Sequence, residues 1–207
     1  ETLDSYYHKR KIKKFFPQVI IMPSHYELYC LYSLRMYNIV KRYTPEVEEY
    51  SVDECYADLT GLRLSHRSSY EEIALKIKHD LESELGISFS MGIGPNKTIA
   101  KLASKFKKNL GPSGFTAVPA KRAHLFLEGM PVEKICGVGP STEAQLFKWG
   151  IKTALELAQK NIGWVNEHLS KPYREIWAEL HGEFIFKLKI GSVPDYQSIM
   201  KAHTFIP

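Results

Sequence analysis

The residues with the clearest potential for chemistry are two adjacent acids, Asp53 and Glu54, which follow Ser51-Val52. Two carboxylates this close repel each other unless a cation lies between them. Ligation by oxygen alone suits Mg²⁺, which keeps several waters and takes substrate phosphates into its octahedral shell. The pair therefore indicates phosphoryl-transfer chemistry. An acidic dipeptide at a solvated strand end, with no function, is the plainer interpretation of these two residues alone.

The elements around the acids must turn both side chains toward one ion. The sequence predicts a strand, a turn and a second strand over residues 49–62, and neighbouring residues of a regular strand point to opposite faces. A turn or bulge must therefore redirect one acid. Amphipathic spacing predicts helices over residues 24–43 and 69–85, with Ser24 and Ser69 as their N-caps.

The rest of the pattern divides the chain near residue 120. Beyond this point only short helices joined by Gly and Pro are predicted. We therefore predict a first domain over residues 1–119, a second, all-helical domain over 120–190, and a linker over 191–207. The further predicted elements are strands at 18–22, 87–93 and 115–118, and helices at 4–16, 97–108, 123–128, 132–136, 141–149, 154–160 and 173–181.

A row of lysines follows one side of the predicted helix 97–108. Lys97, Lys101 and Lys105 are four residues apart, opposite the apolar positions of the helix. This spacing suits contact with a phosphate backbone or a triphosphate near the acids. A solvated helix face would show the same spacing.

A glycine-containing turn, Ile135-Cys-Gly-Val-Gly139, joins two helical stretches. Its glycines let the backbone approach closely, and free amides at the start of the next helix can bind a phosphate without reading bases. We predict sequence-independent DNA contact here, with a plain helix connector as the alternative. The predicted contact residues are Gly137, Val138, Gly139, Ser141 and Thr142, of which the last two would cap the helix.

The composition is that of a soluble globular protein. The chain has 207 residues, 44% of them hydrophobic, and no apolar run approaches the roughly 20 residues that span a bilayer. Its three widely spaced cysteines fit neither a disulfide framework nor a metal knuckle. The net charge of +5 permits a polyanionic partner. We expect no membrane partner, and a location in the cytoplasm (nucleoid) of a bacterium or archaeon or in a eukaryotic nucleus.

Three stretches carry a family resemblance. Tyr50-Ser-Val-Asp-Glu-Cys-Tyr-Ala-Asp-Leu-Thr60 resembles the palm motif S-[IV]-D-E-x-[YF]-x-D-[LIV]-[ST] of Y-family DNA polymerases, the DinB/UmuC-like translesion group. Residues 91–104 resemble that family's G-I-[AGS]-x-[NT]-K stretch, and residues 131–157 are similar to its thumb segment. The resemblance implies an α+β palm, with an antiparallel or mixed sheet and packed helices, plus a small all-α helix-hairpin-helix thumb.

The resemblance also implies a DNA-directed DNA polymerase of DNA repair, with primer-template DNA and dNTPs as its partners. Asp53 and Glu54 match two of the three catalytic carboxylates that hold two Mg²⁺ ions in the family. Lys107 or Lys108 would bind the nucleotide triphosphate. Lys97 and Lys101 are the candidates for DNA contact, and a sliding clamp is a further candidate partner.

The third carboxylate of the family lies in an N-terminal motif, D-x-D-x-F-[FY]-[AV]-x-V-E, which the 207 residues do not contain. This N-terminal part of the palm belongs either to a longer gene product or to another chain, or it is absent from a degenerate member of the family, and we expect the 207 residues alone to be inactive. The alternative is a non-catalytic, DNA-binding accessory subunit derived from such a polymerase. A D-x-D-x-F-[FY] motif upstream in the reading frame, or on a partner chain, would favour the enzyme.

Overall fold

Strands and helices are mixed as far as residue 117, and the elements beyond it are helical. The computed structural model describes residues 11–106 and 114–191, and residues 11–15 are helical. The predicted α+β class with an all-helical second part is confirmed. The strands in these ranges are β1 (Val47–Ser51), β2 (Glu54–Ala57), β3 (Met91–Ile93) and β4 (Phe115–Ala117). The helices that follow residue 25 are α1 (Tyr26–Lys41), α2 (Leu62–His66), α3 (Tyr70–Leu85), α4 (Lys97–Lys105), α5 (Ala123–Glu128), α6 (Pro140–Lys148), α7 (Ala154–Ala158), α8 (Ile162–His168) and α9 (Lys171–Leu180), with 3₁₀ turns at Ala120–Arg122 and Val132–Lys134.

Strands β1 and β2 form an antiparallel hairpin whose turn carries the acids. The pairing runs from Val47 opposite Ala57 to Ser51 opposite Glu54, and the register shifts just before Ser51. The predicted strand, turn and strand are therefore confirmed. Asp53 lies in the turn and Glu54 begins β2, so the turn frees the two adjacent acids from the alternation of a regular strand.

Helices α1 and α3 cover one face of this hairpin. Their apolar side chains and those of β1 form a first core, which Cys55 and Ala57 of β2 flank. Alternation along the strands then sends the neighbours of these residues to the opposite face. The main buried side chains of the first core are Met36, Ile39, Val40, Val47, Ile73, Ile77 and Leu81.

The N-caps of the two helices differ in how well the sequence predicted them. Ser69 caps α3 as predicted, and Ser69 and Glu72 form a reciprocal capping box. For α1 the predicted cap, Ser24, is wrong, because His25 is the N-cap and its Nδ1 accepts from the amide of Leu28 at 3.1 Å. An imidazole nitrogen here replaces the hydroxyl that a cap usually provides.

Helix α4 belongs to a second core that it shares with the helical half of the chain. Ile99 and Leu102 are fully buried among side chains from α5 through α9. The hydrophobic core is thus continuous across residue 120, while the predicted domain boundaries stay a prediction. The largest side chains from the second half that are fully buried in this core are Leu127, Val132, Ile135, Leu146, Ile151 and Val165.

Helix α4 also lies directly against the parallel strand pair β3 and β4. A Cβ atom on Gly92 of β3 would collide with the backbone of Ala100 and Ser104. Only glycine permits this approach, so the packing of α4 on β3 requires it.

Some predicted elements are wrong or shorter than expected. Residues 18–22 form no strand, because a strand needs a partner and Ile20 is 85% exposed. The strand predicted over 87–93 is confined to β3, and α8 was not predicted at all. Among the described residues, no helix is long and apolar enough to cross a bilayer.

The N-terminus of α4 is fixed by two buried polar residues from different parts of the chain. Asn96 caps the helix by accepting from the amide of Ile99 at 3.0 Å. Its Nδ2 also donates to the carbonyl of Glu179 in α9 at 2.7 Å. The carboxylate of Glu179, which is fully buried, accepts from the amides of Thr98 at 2.9 Å and Phe186 at 2.8 Å. These bonds lock α4 to α9.

Replacing Glu179 by Ala should therefore destabilise the protein strongly. The change leaves the buried amide of Thr98 and the partly buried amide of Phe186 without their acceptor, at a cost of about 2–4 kcal/mol in the free energy of unfolding. Equilibrium urea unfolding measures it. The control is Glu175→Ala in the same helix, whose carboxylate is only in long-range contact with Lys171 at 3.9 Å, so we expect a change below about 0.5 kcal/mol. Equal effects of the two variants would contradict the structural role of Glu179.

Candidate active site

The two acids lie together at the turn of the β1–β2 hairpin. Asp53 is exposed in the turn, and its Oδ1 accepts from the hydroxyl of Ser51 at 2.7 Å. Glu54 begins β2 and its side chain is 39% exposed. The carbonyl of Ser51 accepts from the hydroxyl of Tyr37 in α1. The turn that carries the acids is thus tied to the first core.

Two lysines of α4 reach across to the hairpin and bind carboxylates. Lys101 Nζ lies 2.9 Å from Glu54 Oε2, and Lys97 Nζ lies 2.6 Å from Glu48 Oε2. The lysine side chains are only 11% and 12% exposed, so the solvated-face alternative does not describe them. Lys105, one turn further, is exposed. The DNA contact predicted for Lys97 and Lys101 stays a prediction.

Two tyrosine rings pack against these lysine side chains. The rings of Tyr50 and Tyr56 meet edge to face at 5.3 Å. Lys101 Nζ is 4.4 Å from the Tyr50 ring centre and Lys97 Nζ is 4.7 Å from that of Tyr56, which are cation–π distances. Burial is the largest single influence on the pKa of Lys101 and lowers it, but the hydrogen bond to Glu54 and the neighbouring negative charges together outweigh burial, so the pKa of Lys101 is raised. Lys101 is therefore a permanent cation beside the acids at neutral pH.

A groove of about 2010 Å³ opens beside the acids. Both acids line it, together with the rest of β2, all of β3 and parts of α1 and α3. In the described part of the chain, β2 pairs only with β1 and β3 pairs only with β4. The groove therefore presents one strand edge from each two-stranded sheet.

The donors at the turn fit a magnesium ion in type but not in number. Asp53 and Glu54 offer only carboxylate oxygens, the ligands that Mg²⁺ prefers. Within residues 11–106 and 114–191, no group of three His, Cys, Asp or Glu side chains is arranged to hold a metal. Waters, phosphates and a further carboxylate would have to complete the shell.

The glycine turn in the second half precedes α6. Gly137 has φ 95°, a conformation that favours glycine. The helix begins at Pro140 with Gly139 as N-cap and no side-chain cap, so the predicted caps, Ser141 and Thr142, are wrong. The hydroxyl of Thr142 is 2.7 Å from that of Tyr173 instead. Helix geometry leaves the amides of the first turn without helical partners, so they can meet an anion.

The five residues predicted to touch DNA here are not equally placed. Gly137, Gly139 and Ser141 are exposed. Val138 is buried, and its amide donates to the carbonyl of Ile135 at 3.0 Å. Val138 thus holds the turn in shape, while the exposed residues around it are available to a ligand.

Two models of known protein families match this chain. The chain matches the impB/mucB/samB family over residues 5–105 and the helix-hairpin-helix motif of the same family over residues 121–151. Together the two matches span more than half of the chain. The chain belongs to this family, the Y-family (DinB/UmuC-like) polymerases.

Named relatives of this Y-family chain agree. It is 35% identical to DNA polymerase IV of Clostridium kluyveri over 94% of this chain and 48% of the relative. It is 33% identical to DNA polymerase IV of Lactococcus lactis over 91% of this chain and 50% of the relative. The chain thus spans about half the length of these curated relatives.

Solved structures show the same fold. DinB from Sulfolobus solfataricus matches with a TM-score of 0.67 at 23% identity, covering 83% of this chain and 49% of that one. A structure described as an insertion ternary complex of Dbh DNA polymerase matches with a TM-score of 0.69 at 24% identity, covering 83% of this chain and 49% of that one. The predicted Y-family palm and helix-hairpin-helix thumb are confirmed as the fold.

Two predicted site residues of the Y-family chain have no described position. Lys107 and Lys108, predicted to bind nucleotide, lie outside the described residues, which stop at Phe106 and resume at Gly114. Their role stays a prediction.

Sequence reasoning missed the residues that join α4 to the hairpin of this Y-family palm. Glu48, Tyr50 and Tyr56 were not singled out, although they meet the two lysines directly. A signal was present, because alternation along β1 puts Glu48 and Tyr50 on the face opposite Val47. Lys97 and Lys101, four residues apart on one side of α4, meet residues of this face.

The thiol of Cys55 tests this alternation. Burial raises the pKa of Cys55 to about 11, and only the thiolate reacts, so its reaction rate should keep rising until about pH 11. At pH 8 we expect labelling by a disulfide reagent about tenfold slower than at exposed Cys30. Mass spectrometry of labelled peptides measures both rates. Equal rates would mean that Cys55 does not face the first core and that Glu54 points elsewhere.

Proposed function

We propose that this chain is the palm and thumb of a translesion DNA polymerase, which adds dNTPs to a primer by two-metal phosphoryl transfer. The observation that carries the proposal is the position of Asp53 and Glu54, exposed or half-exposed at one turn beside a large groove. Relatives named DNA polymerase IV support it. The reaction joins the primer 3′-hydroxyl to the α-phosphate of the nucleotide and releases pyrophosphate.

In this proposal Asp53 and Glu54 hold Mg²⁺. The bound ions would neutralise charge on the triphosphate and favour loss of the proton from the primer hydroxyl. The chain's own contribution is position: Ser51 orients Asp53 through its hydroxyl, and Tyr37 fixes the backbone of the turn. Asp53 would therefore meet an ion with little loss of conformational freedom.

The groove is the proposed place of the third carboxylate. Two strand edges line it, and an extended segment lying between them would pair with both. Such a segment, from the N-terminal part of the palm or from another chain, would place its side chains beside Asp53 and Glu54. With two carboxylates alone, the described residues bind the ions incompletely, and we propose that the 207 residues alone do not extend primers.

The thumb turn is the proposed contact for primer-template DNA. Exposed Gly139 and the first amides of α6 would bind a backbone phosphate, a contact that reads no bases. Lys107 or Lys108 is the proposed contact for the incoming dNTP, and a sliding clamp is a further proposed partner. The proposed location is that of the DNA itself, the nucleoid of the cytoplasm or the nucleus.

A matched pair of Asp→Asn substitutions tests the metal role. In a complete polymerase that contains these 207 residues, Asp53→Asn should lower nucleotide addition by about 100-fold or more, because an amide is a poor Mg²⁺ ligand. Single-turnover primer extension and a DNA-binding titration measure the two effects, and DNA affinity should stay nearly unchanged. Asp58→Asn is the control, since Asp58 Oδ1 accepts from the amide of Thr60 and an Asn oxygen keeps that bond.

Three results would decide against the proposal. Retained activity in Asp53→Asn would exclude Asp53 as a ligand. Equal losses in both variants would indicate general damage to the hairpin. Robust extension by the 207 residues alone, with Mg²⁺ and dNTPs, would contradict the need for a third carboxylate. Normal DNA binding without any extension by the complete protein would instead favour the accessory-subunit alternative.

Substitution of Gly139 tests the thumb contact. A Cβ at Gly139 meets nothing within 4 Å and its φ is −89°, so Gly139→Ala should fold normally. The methyl would hold a phosphate away from the amides, and DNA affinity should fall about tenfold. Fluorescence anisotropy with two duplexes of different sequence should give the same loss. Gly129→Ala is the control, because Gly129 is equally open with φ −88° and lies outside the turn; a loss at both positions, or at neither, would contradict the contact.

A further inference from the structure

One lysine is bound directly to a proposed metal ligand. Lys101 Nζ is 2.9 Å from Glu54 Oε2, and the lysine side chain is 11% exposed whereas that of Glu54 is 39% exposed. The helix that carries Lys101 is held at its N-terminus by buried Asn96 and Glu179. The ammonium group is therefore held beside Glu54 by a helix whose position is fixed, while the carboxylate of Glu54 remains partly exposed to solvent.

This contact puts a positive charge at the place where the acid pair needs one. Asp53 and Glu54 repel each other when both are charged, and a bound ammonium lowers that repulsion without a metal. A metal ion on Glu54 would use the same carboxylate. Two cations on one carboxylate repel each other, so the ammonium and the metal ion compete.

The neighbouring pair, Lys97 with Glu48, has a different environment. The Glu48 side chain is only 6% exposed, and its Oε2 also accepts from the backbone amide of Lys189 at 3.0 Å. That carboxylate is nearly closed to solvent, and its Oε2 already accepts from two donors. The two lysines are one helical turn apart and equally buried, and only Lys101 holds a carboxylate that a solute can reach.

A second resting place for the Lys101 ammonium lies nearby. Its Nζ is 4.4 Å from the ring centre of Tyr50. The face of an aromatic ring attracts a cation, so the ammonium can leave Glu54 without losing every favourable contact. Lys101 also lines the groove, so the ammonium has open space beside it.

We propose that Lys101 is a resident counter-cation of Glu54, which holds the carboxylate before a metal ion binds and leaves it when the ion arrives. The proposal rests on the proposed metal role of Glu54. Lys101 acts through Glu54 and is thus a positioning residue. Its effect has an unusual sign: removal of Lys101 should strengthen metal binding, which a merely damaged fold would not do.

Amine reactivity gives the first test. The 207-residue chain is acetylated briefly at constant pH while Mn²⁺ is titrated, and mass spectrometry follows each lysine. Acetylation of Lys101 should rise several-fold as Mn²⁺ binds, while Lys97, which has the same burial but another partner, should not change. In Glu54→Ala, Lys101 should be reactive without Mn²⁺, and Mn²⁺ should have no further effect.

Metal affinity gives the second test. Electron paramagnetic resonance of free Mn²⁺ measures its Kd in each variant. Lys101→Met should lower the Kd about three- to tenfold, the range expected for loss of one partly exposed competing ion pair. Lys105→Met removes the same charge from the exposed next turn of α4 and should leave the Kd nearly unchanged.

The outcomes separate this proposal from the proposed metal role. If Glu54→Ala abolishes Mn²⁺ binding but Lys101 neither gains reactivity with Mn²⁺ nor affects the Kd, the counter-cation role is overturned and the metal role of Glu54 stands. If Glu54→Ala leaves Mn²⁺ binding intact, both proposals fail. A similar gain of affinity in Lys105→Met and Lys101→Met would reduce the effect to general charge and overturn the counter-cation role.

Discussion

The placement of α4 is the constraint on which the rest of the structure depends. Its N-terminus is fixed by Asn96 and Glu179, which are 4% and 0% exposed and whose bonds cross 83 residues of sequence. From this anchor the apolar face of α4 enters the second core and the opposite face carries lysines to the acid hairpin. A buried carboxylate is costly unless its hydrogen bonds are complete. The amides that bind the Glu179 carboxylate lie in α4 and in the segment after α9. The bonds that offset the cost of burying Glu179 therefore also fix the position of α4 and of its lysines.

The hairpin obeys a second constraint, the strict alternation of its faces. Val47 and Cys55 face the first core, so Glu48 and Glu54 must face the lysines. A shift of register by one residue would bury the acids against α1 and α3 and expose the apolar residues, which is why the register is well determined. Packing on one face thereby fixes the chemistry on the other. The pairing of β1 with β2 departs from this regular register between Glu49 and Ser51, just before the turn that carries the acids.

The sequence predicted what depends on local patterns and missed what depends on distant partners. The Ser69 cap and the strands around the acids follow from spacing that is visible in a few residues. Residues 18–22 have the composition of a strand, but whether they form one depends on a partner elsewhere. The acid pair was predictable for the same local reason, whereas its lysine partner is 47 residues away from Glu54 and no short pattern relates the two. Helix α8 carries a readable cap at Asn161, yet Gly163 interrupts its helical pattern.

In the proposed function, one further segment of chain would complete both the metal site and the two separate two-stranded sheets. An unpaired strand edge leaves amides and carbonyls without partners, and a carboxylate pair without a full ligand set keeps its repulsion. In the described residues both deficiencies border the same groove, beside β2 and β3. One extended segment with a single acidic side chain facing the turn would relieve both, since its backbone would pair with the two edges and its carboxylate would join the pair. Lys101 offsets the negative charge of Glu54 alone, and it does nothing for the unpaired strand edges. The energetics of the sheet and of the metal site are therefore linked, and a segment that completes one completes the other.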